Sequence, residues 1–560
     1  MGAMPYFASE SDRLASLIAE GRGVHDTEGF LALKAEAEKW RPDGYEGHQA
    51  LLRLHYEGRT EEHLKEHAKQ RFPHTYHRMP LTPYNWARLF AENGAAVYDY
   101  PPSRYIERDG KRIEPNPPED DDSRGDEASD RQRAADFAEM VKEAQLEVVM
   151  AEAERRCVLA RTVFLRVHSD SLEAKATGRP PRTVVTPFWP GDVLVIPHPR
   201  CPTSLATAVC LMARVAGDDG VKGKGCTTWE VWTRSFTEDE VGLPSFGKWR
   251  CELVTERSEQ RGRETAKKVD VKVQKWRASE GAPASEDYPL PTLPWIVWHH
   301  GLPDGCPFLD VDRNLVPLFD NLNADLMAYG FARDMCGATP MTFESDNPAV
   351  QASIAMGPGL LTKIPTGSNV TPVPVDADFE GLRMGIETIK SYLAMTNRQS
   401  ASDYDATRSG TPDSGIALRI KNEPMLKARL EAVNRAVKVE AELLALMAEV
   451  HDLWRATSIK DEGITFSMVP TDPPEYEPNS EKLKRWLDLR DAGLATDAMV
   501  LVNVGAARSP EEAKAIIEQV KKEKAERPSM LRQRLDAFVG ERPVPPMPDD
   551  EPEAPQPDTE

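Results

Sequence analysis

Four histidines near the N-terminus, His63, His67, His74 and His77, have the spacing that comes nearest to chemistry. An i, i+4 pair on one helix face can chelate zinc, and His63 with His67 has that separation. The run reads His63-Leu64-Lys65-Glu66-His67, so no Glu follows the first His as an H-E-x-x-H frame requires, and no cysteine or acidic ligand can be placed beside it. Surface histidines are the expected reading, with no metal and no cofactor. The segment Gly217-Asp218-Asp219-Gly220-Val221-Lys222-Gly223-Lys224-Gly225 is rich in glycine like a phosphate loop. It fails the G-x-x-x-x-G-K-[ST] spacing and sits between strand-like runs rather than before a helix, so a flexible hairpin is expected and ATP hydrolysis is not. Lys267, Lys268, Lys272, Lys275 and Arg277 beside Trp276 form a basic, aromatic-tipped run. It suits a nucleic-acid contact, a solvated strand face or a subunit contact. No G-x-S-x-G nucleophile motif occurs, and the chain is not expected to be an enzyme.

What must position these residues is set first by size and charge. At 560 residues the chain exceeds one core and suggests about three to four structural units. A hydrophobic fraction of 40% with 29% charged residues is that of a soluble globular protein. No apolar run approaches the ~20 residues that span a bilayer, and Met1-Gly2-Ala3-Met4-Pro5-Tyr6 lacks a signal-peptide layout, so the expectation is a soluble protein, intracellular when made. Seven widely spaced cysteines without a C-x-x-C pair read as reduced, mostly buried thiols. The net charge of −21 disfavours tight binding to phosphates over the whole surface. It permits a wall past which a polyanion slides without sticking.

Local pattern then divides the chain. Residues 1 to 100 read as helical, with a glycine stop at Gly58 after Leu51-Leu52-Arg53-Leu54-His55-Tyr56 and a start at Thr82-Pro83. Residues 101 to 132, with Pro101-Pro102, Pro117-Pro118 and an acidic run, read as a solvated loop or insertion. One helix is expected from about Arg133 to Arg156, with Phe137, Met140, Val141, Ala144 and Val148 on one face. From Cys157 to about residue 300 short apolar or alternating runs broken by Pro and Gly predict an antiparallel β domain.

The most informative stretch is Leu315 to Trp454. Leu315, Leu318, Leu322, Leu326 and Tyr329 recur by three and four, predicting an amphipathic helix over 313–335, about 33 Å long at 1.5 Å per residue. A segment with Pro340, Pro348, Pro358, Pro365, Pro372 and Pro374 follows, read as short strands and turns. Phe379, Leu382, Ile386, Ile389 and Leu393 then mark a second helix after Asp376/Asp378. Residues 399–415 are too polar to fill a core and read as an exposed loop. Beyond it Leu426, Leu430, Val433, Val437, Leu444 and Met447 mark a helix of roughly 40 residues, which Pro424 should kink or restart. Ile464–Val469 reads as a strand, Ser480 to Lys524 as short helices with a start at Ser509-Pro510-Glu511-Glu512, and the Pro-rich tail after residue 543 as disordered. The fold class expected is α+β. Each of the two middle helices has an apolar stripe that needs neighbours, and copies of the same subunit closing head-to-tail into a ring supply them economically.

This order of elements, with Leu293-Pro294-Trp295-Ile296-Val297-Trp298 before the first helix, Ser414-Gly415-Ile416-Ala417-Leu418 opening the long one and Ala506-Ala507-Arg508-Ser509-Pro510-Glu511-Glu512-Ala513 near the end, resembles the portal (head–tail connector) proteins of tailed double-stranded DNA bacteriophages. The resemblance covers roughly Leu51 to Arg527 and implies a multi-part, portal-like subunit. It has a wing (1–312, helical to about 156 and β-rich over 157–300), stem helices over 313–336 and 378–398, a β-rich clip over 337–377 and a tunnel loop over 399–415. A long wing helix with its return strand (416–479), a helical crown (480–527) and a tail (528–560) complete it. The acidic segment 107–130 and the Pro-rich tail match no part of the pattern.

What the resemblance implies about function is a homo-oligomeric ring, usually of 12 copies, at one capsid vertex of the virion, assembled in the host cytoplasm. Double-stranded DNA would pass through it without sequence readout during packaging and ejection. The tunnel-loop candidates are Asp403, Tyr404, Asp405, Arg408 and Asp413: Arg408 would touch phosphate, or pair with a neighbouring aspartate, while the aspartates keep the contact weak. The clip candidates are Phe343, Glu344, Leu360, Lys363, Ile364 and Val370, docking the large terminase and the head-completion or neck proteins. Capsid and scaffold proteins are further implied partners; a membrane is not. Another non-enzymatic virion subunit (neck, baseplate or scaffold) and a metal-dependent hydrolase using the N-terminal histidines are the rival readings.

Overall fold

Asp109-Gly110 shows how local chemistry sets this fold. Both residues have positive φ (52° and 74°), the type I′ geometry that Asp-Gly tolerates and that matches strand twist. They join β1 (Ser103–Arg108) to β2 (Lys111–Ile113) as an antiparallel hairpin. The expectation of a solvated loop over 101–132 is therefore corrected: its first third is sheet, Ile106 is buried, and a helix begins at Asp126. The computed structural model describes residues 27–113 except 82, 115, 126–217 except 199, 224–238, 244–259, 268–275, 288–337, 341–344, 369–372, 378–399 except 397, 415–471, 479–503 except 494, and part of 513–521.

From residue 27 the N-terminal region is mainly helical, as expected: α1 (Thr27–Glu38), α2 (Tyr45–Tyr56), α3 (Glu61–Arg71) and α4 (Trp86–Gly94); residues 1–26 lie outside the described residues. Helix α2 ends before Gly58, whose left-handed φ of 72° favours a residue without a Cβ. Helix α4 starts later than Thr82-Pro83, because Asn85 caps it by accepting a hydrogen bond from the Arg88 amide (2.9 Å). The single helix expected over 133–156 is two, α5 (Asp126–Glu143) and α6 (Leu146–Ala160), broken where Gln145 turns left-handed at φ 49°. That break rotates Val148 off the apolar face and leaves it 68% exposed, while Phe137, Met140 and Ala144 are buried.

The β region then follows with β3 (Thr162–Ser169), α7 (Ser171–Thr177), β4 (Thr183–Phe188), β5 (Val193–Ile196), β6 (Cys210–Gly217), β7 (Lys224–Thr233), β8 (Phe236–Glu238), β9 (Pro244–Phe246), β10 (Arg250–Glu259), β11 (Lys268–Lys275) and β12 (Trp295–His299). Five strands form a sheet of order β11-β10-β7-β6-β5, and three more the order β12-β3-β4. Strand β5 reads Val193-Leu194-Val195-Ile196 because both its faces are covered. Leu194 and Ile196 pack with Phe30, Leu33 and Ala37 of α1, whereas Val193 and Val195 join the central core with Trp232 and Trp249. The basic run from Lys268 to Lys275 is the edge strand β11; Lys267, Trp276 and Arg277 lie outside the described residues, as do 218–223 of the glycine-rich segment.

The remaining elements are α8 (Leu315–Gly337), β13 (Met341–Glu344), β14 (Asn369–Pro372), α9 (Phe379–Thr396), α10 (Gly415–Arg455), β15 (Ile464–Val469), α11 (Asn479–Asp491) and α12 (Asp497–Asn503). Helix α10 is unbroken through Pro424, contrary to the expected restart. Strand β15 pairs with β1 along its whole length, so the chain after α10 returns to the N-terminal hairpin. Every described strand pairing is antiparallel and helices are not interleaved with parallel strands, so the fold is α+β.

Residues 1–411 with 420–473 form one compact unit, and 412–419 with 474–560 a second. In the second, α11 packs on α12, and Val500 and Ala513 are buried. Ser509-Pro510-Glu511-Glu512 and the tail after 521 lie outside the described residues. Cys157, Cys210 and Cys251 are buried free thiols, whereas Cys201 is exposed. Among the described residues no helix is long and apolar enough to cross a membrane.

Candidate functional site

Helices α8 and α9 pack together, and the hairpin β13–β14 lies between them in the chain. Asp378 caps α9 by accepting from the Gly381 amide (2.8 Å), which fixes where the helix starts. Tyr329, late in α8, meets Phe379, the first residue of α9, edge-on at 5.7 Å. The two helices therefore run antiparallel as an arm whose tip is the hairpin. At its root Leu315, Phe319 and Leu322 of α8 and Ile386 and Leu393 of α9 enter the central core with Phe90. Asn323 locks the root: its Oδ1 accepts from the Tyr84 amide (2.9 Å) while its Nδ2 donates to the carbonyls of Tyr84 (3.3 Å) and Phe319 (3.1 Å).

Helix α9 carries a second apolar set on its far side. Ile386, Ile389 and Leu393 face the core, yet Met384, Tyr392 and Met395 are exposed, Met395 by 73%. At 100° per residue those three fall within about 80° of one another, nearly opposite the buried stripe. Helix α10 repeats the theme along its length. Leu426, Leu430, Val433, Val437, Leu444 and Met447 lie on one face, but only from Val433 onward does the body cover it, and Leu430 is 63% exposed. The covered part is held firmly: Glu440 is fully buried, accepting from the Tyr98 hydroxyl and pairing with the Arg104 guanidinium. Arg455 closes the other end on Glu143 (2.8 Å) and the Pro181 carbonyl (2.8 Å).

Between α9 and α10 lies the polar loop, of which the described residues give only the root. Gln399 is buried and its Nε2 donates to the Phe90 carbonyl (3.2 Å). Arg398, left-handed at φ 55°, pairs with Glu431 of α10 (3.1 Å). Beneath it, His300 is held down to about 3 by burial and then by Arg161, Arg435 and Arg398. Three guanidinium groups thus gather at the loop root of an otherwise acidic chain. Sequence reading missed Arg398 and Arg435, which are more than a hundred residues from Arg161 and are brought to it only by the packing of α10 on the body.

Of the residues singled out from sequence, Asp403, Tyr404, Asp405, Arg408 and Asp413 lie outside the described residues, as do Leu360, Lys363 and Ile364. Phe343, Glu344 and Val370 are on the hairpin strands, with Phe343 opposite Val370 and Glu344 opposite Asn369.

The histidines resolve differently from the expected surface set. His74 and His77 are exposed and His67 is half-buried. His63, at the start of α3, turns toward α8, with its Nε2 3.0 Å from Asp320 Oδ2. His55, in the last turn of α2, is buried with its Nε2 3.2 Å from Asp320 Oδ1. Burial pushes the Asp320 carboxyl up, but the two imidazoles outweigh it and hold it at about 2. The hydrogen bond to Asp320 raises His63. The i, i+4 frame pointed to His67, whereas the partners lie one helix turnaround upstream and 257 residues downstream. Set against known proteins, the chain matches no family model and no curated protein.

Proposed function

We propose that this chain is the subunit of a ring-shaped portal, through which another machine moves double-stranded DNA at one vertex of a phage capsid. The observation that carries the reading is the helix–β-hairpin–helix arm together with apolar faces on α9 and on α10 at Leu426 and Leu430 that the subunit's own core leaves bare. Helices with one face in their own body and another in solvent need lateral neighbours, and in a closed ring the neighbour is the next copy of the same chain. The sequence resemblance supplies the rest: α8 and α9 as stem, the hairpin as the docking clip for terminase and neck proteins, and the loop 399–415 facing the lumen.

The physics suits a passive conduit. A net charge of −21 keeps a polyanion off the walls, and a few guanidinium groups near the loop give local, sequence-independent phosphate contact that does not read bases. Deleting residues 403–413 tests the reading. Rings should still assemble, since the deleted segment is almost entirely polar or small in sequence, but heads should fail to package or retain DNA. Heads filled normally with DNA would remove the loop from the channel.

A further inference from the structure

We propose that His55, His63 and Asp320 form a binding site for a first-row divalent transition metal ion, zinc being the best fit, that clamps α2 and α3 onto α8. This inference is independent of the channel reading. Among the described residues these three side chains are the group whose ligand atoms converge, all lying within 4.8 Å of one another. A zinc ion with ligand bonds of about 2.0–2.2 Å sets neighbouring ligand atoms of a tetrahedron about 3.3 Å apart. Each carboxylate oxygen stands at about that distance from one imidazole, Asp320 Oδ2 3.0 Å from His63 Nε2 and Oδ1 3.2 Å from His55 Nε2.

Beside the hydrogen bond of His63 to Asp320 Oδ2, two polar atoms of the group are left poorly satisfied. His55 Nε2 and Asp320 Oδ1 are buried from solvent and make no hydrogen bond of acceptable geometry, although they are only 3.2 Å apart. Both residues are more than nine-tenths buried, and a buried polar atom left unpaired costs about 1–3 kcal/mol. A cation between the two atoms satisfies both at once. His55 is fixed for the role by its ring packing on Phe319 (5.7 Å) and by standing nearly perpendicular to His63 (83°). The half-exposed His63 leaves a path for water as a fourth ligand. Two imidazoles with one carboxylate select zinc, cobalt, iron or nickel, whereas calcium and magnesium favour all-oxygen shells.

The test uses the full chain. Wild-type protein stripped with a chelator is titrated with cobalt(II), read by its visible ligand-field bands, and with zinc by calorimetry. One ion per chain is expected, with a higher unfolding temperature when loaded. His63→Gln should weaken binding by more than the roughly 100-fold that loss of an outer-shell partner costs, while His67→Gln on the same helix should bind like wild type. X-ray absorption on loaded wild type guards against a misfolded variant and should show imidazole nitrogens and oxygen around the ion. No stoichiometric uptake, undiminished binding by a folded His63→Gln, or a shell containing sulfur or oxygen alone would each overturn the proposal.

Discussion

The two ends of α10 carry the same apolar spacing and meet different surroundings. From Val433 to Val450 its stripe is sealed against α5, α6 and β15, and the buried Glu440 is matched by Tyr98 and Arg104. At Leu426 and Leu430 the same stripe faces solvent. The contrast shows that periodicity specifies which side of a helix is apolar but not who covers it. Where the subunit itself provides the cover, the helix is part of the fold. Where it does not, the stripe is free for the lateral neighbour that the proposed ring would supply.

The largest effect expected from breaking that contrast lies at the sealed end. Glu440→Ala strands a buried Arg104 and should cost about 3–5 kcal/mol in denaturant unfolding of the single chain. A loss below 1 kcal/mol would mean that the pair is solvated and the α10 anchor misjudged. Next comes a matched comparison of one residue type in two places. Leu444→Ala should destabilise the single chain by about 2–5 kcal/mol, whereas Leu430→Ala should stay within about 0.5 kcal/mol. Equal costs at the two sites would erase the distinction between sealed and bare ends.

A smaller effect concerns Glu154, buried beside the chain that leaves α4. Burial raises its carboxyl to about 7, although the amides of Ala96, Val97 and Tyr98 donate to it. A folded-state value above the unfolded one favours the protonated form. Its contribution to stability is therefore full below about pH 4.5 and is lost as the pH rises through about 7. Glu154→Gln should flatten that part of the stability–pH curve, and an unchanged slope would place the titration elsewhere.

Much of the architecture was legible in the sequence because it depends on local rules. The three-and-four rhythm of Leu315 to Tyr329 and of Phe379 to Leu393, the Gly58 stop and the strands around Val193 and Ile464 all act within a few residues. The Asp109-Gly110 hairpin carried an equally local signal, but the neighbouring prolines and acidic run obscured it. The break at Gln145 had no glycine or proline to announce it. The site residues were less legible for a different reason: Asp320 reaches His55 and His63, and Arg435 reaches Arg161, only after distant helices pack, and no spacing rule records such meetings.

The most direct measurement is the mass of the native particle for wild type and for the double substitution Leu430→Glu with Met395→Glu, by light scattering with electron microscopy of the same samples. The account predicts that wild type is a closed ring of many copies with a hole wide enough for duplex DNA, and that the variant is a folded monomer that still unfolds cooperatively, at a lower temperature than the ring because it lacks the stabilisation of assembly. A wild-type protein that stays monomeric at every concentration, or a variant that assembles as wild type does, would contradict it.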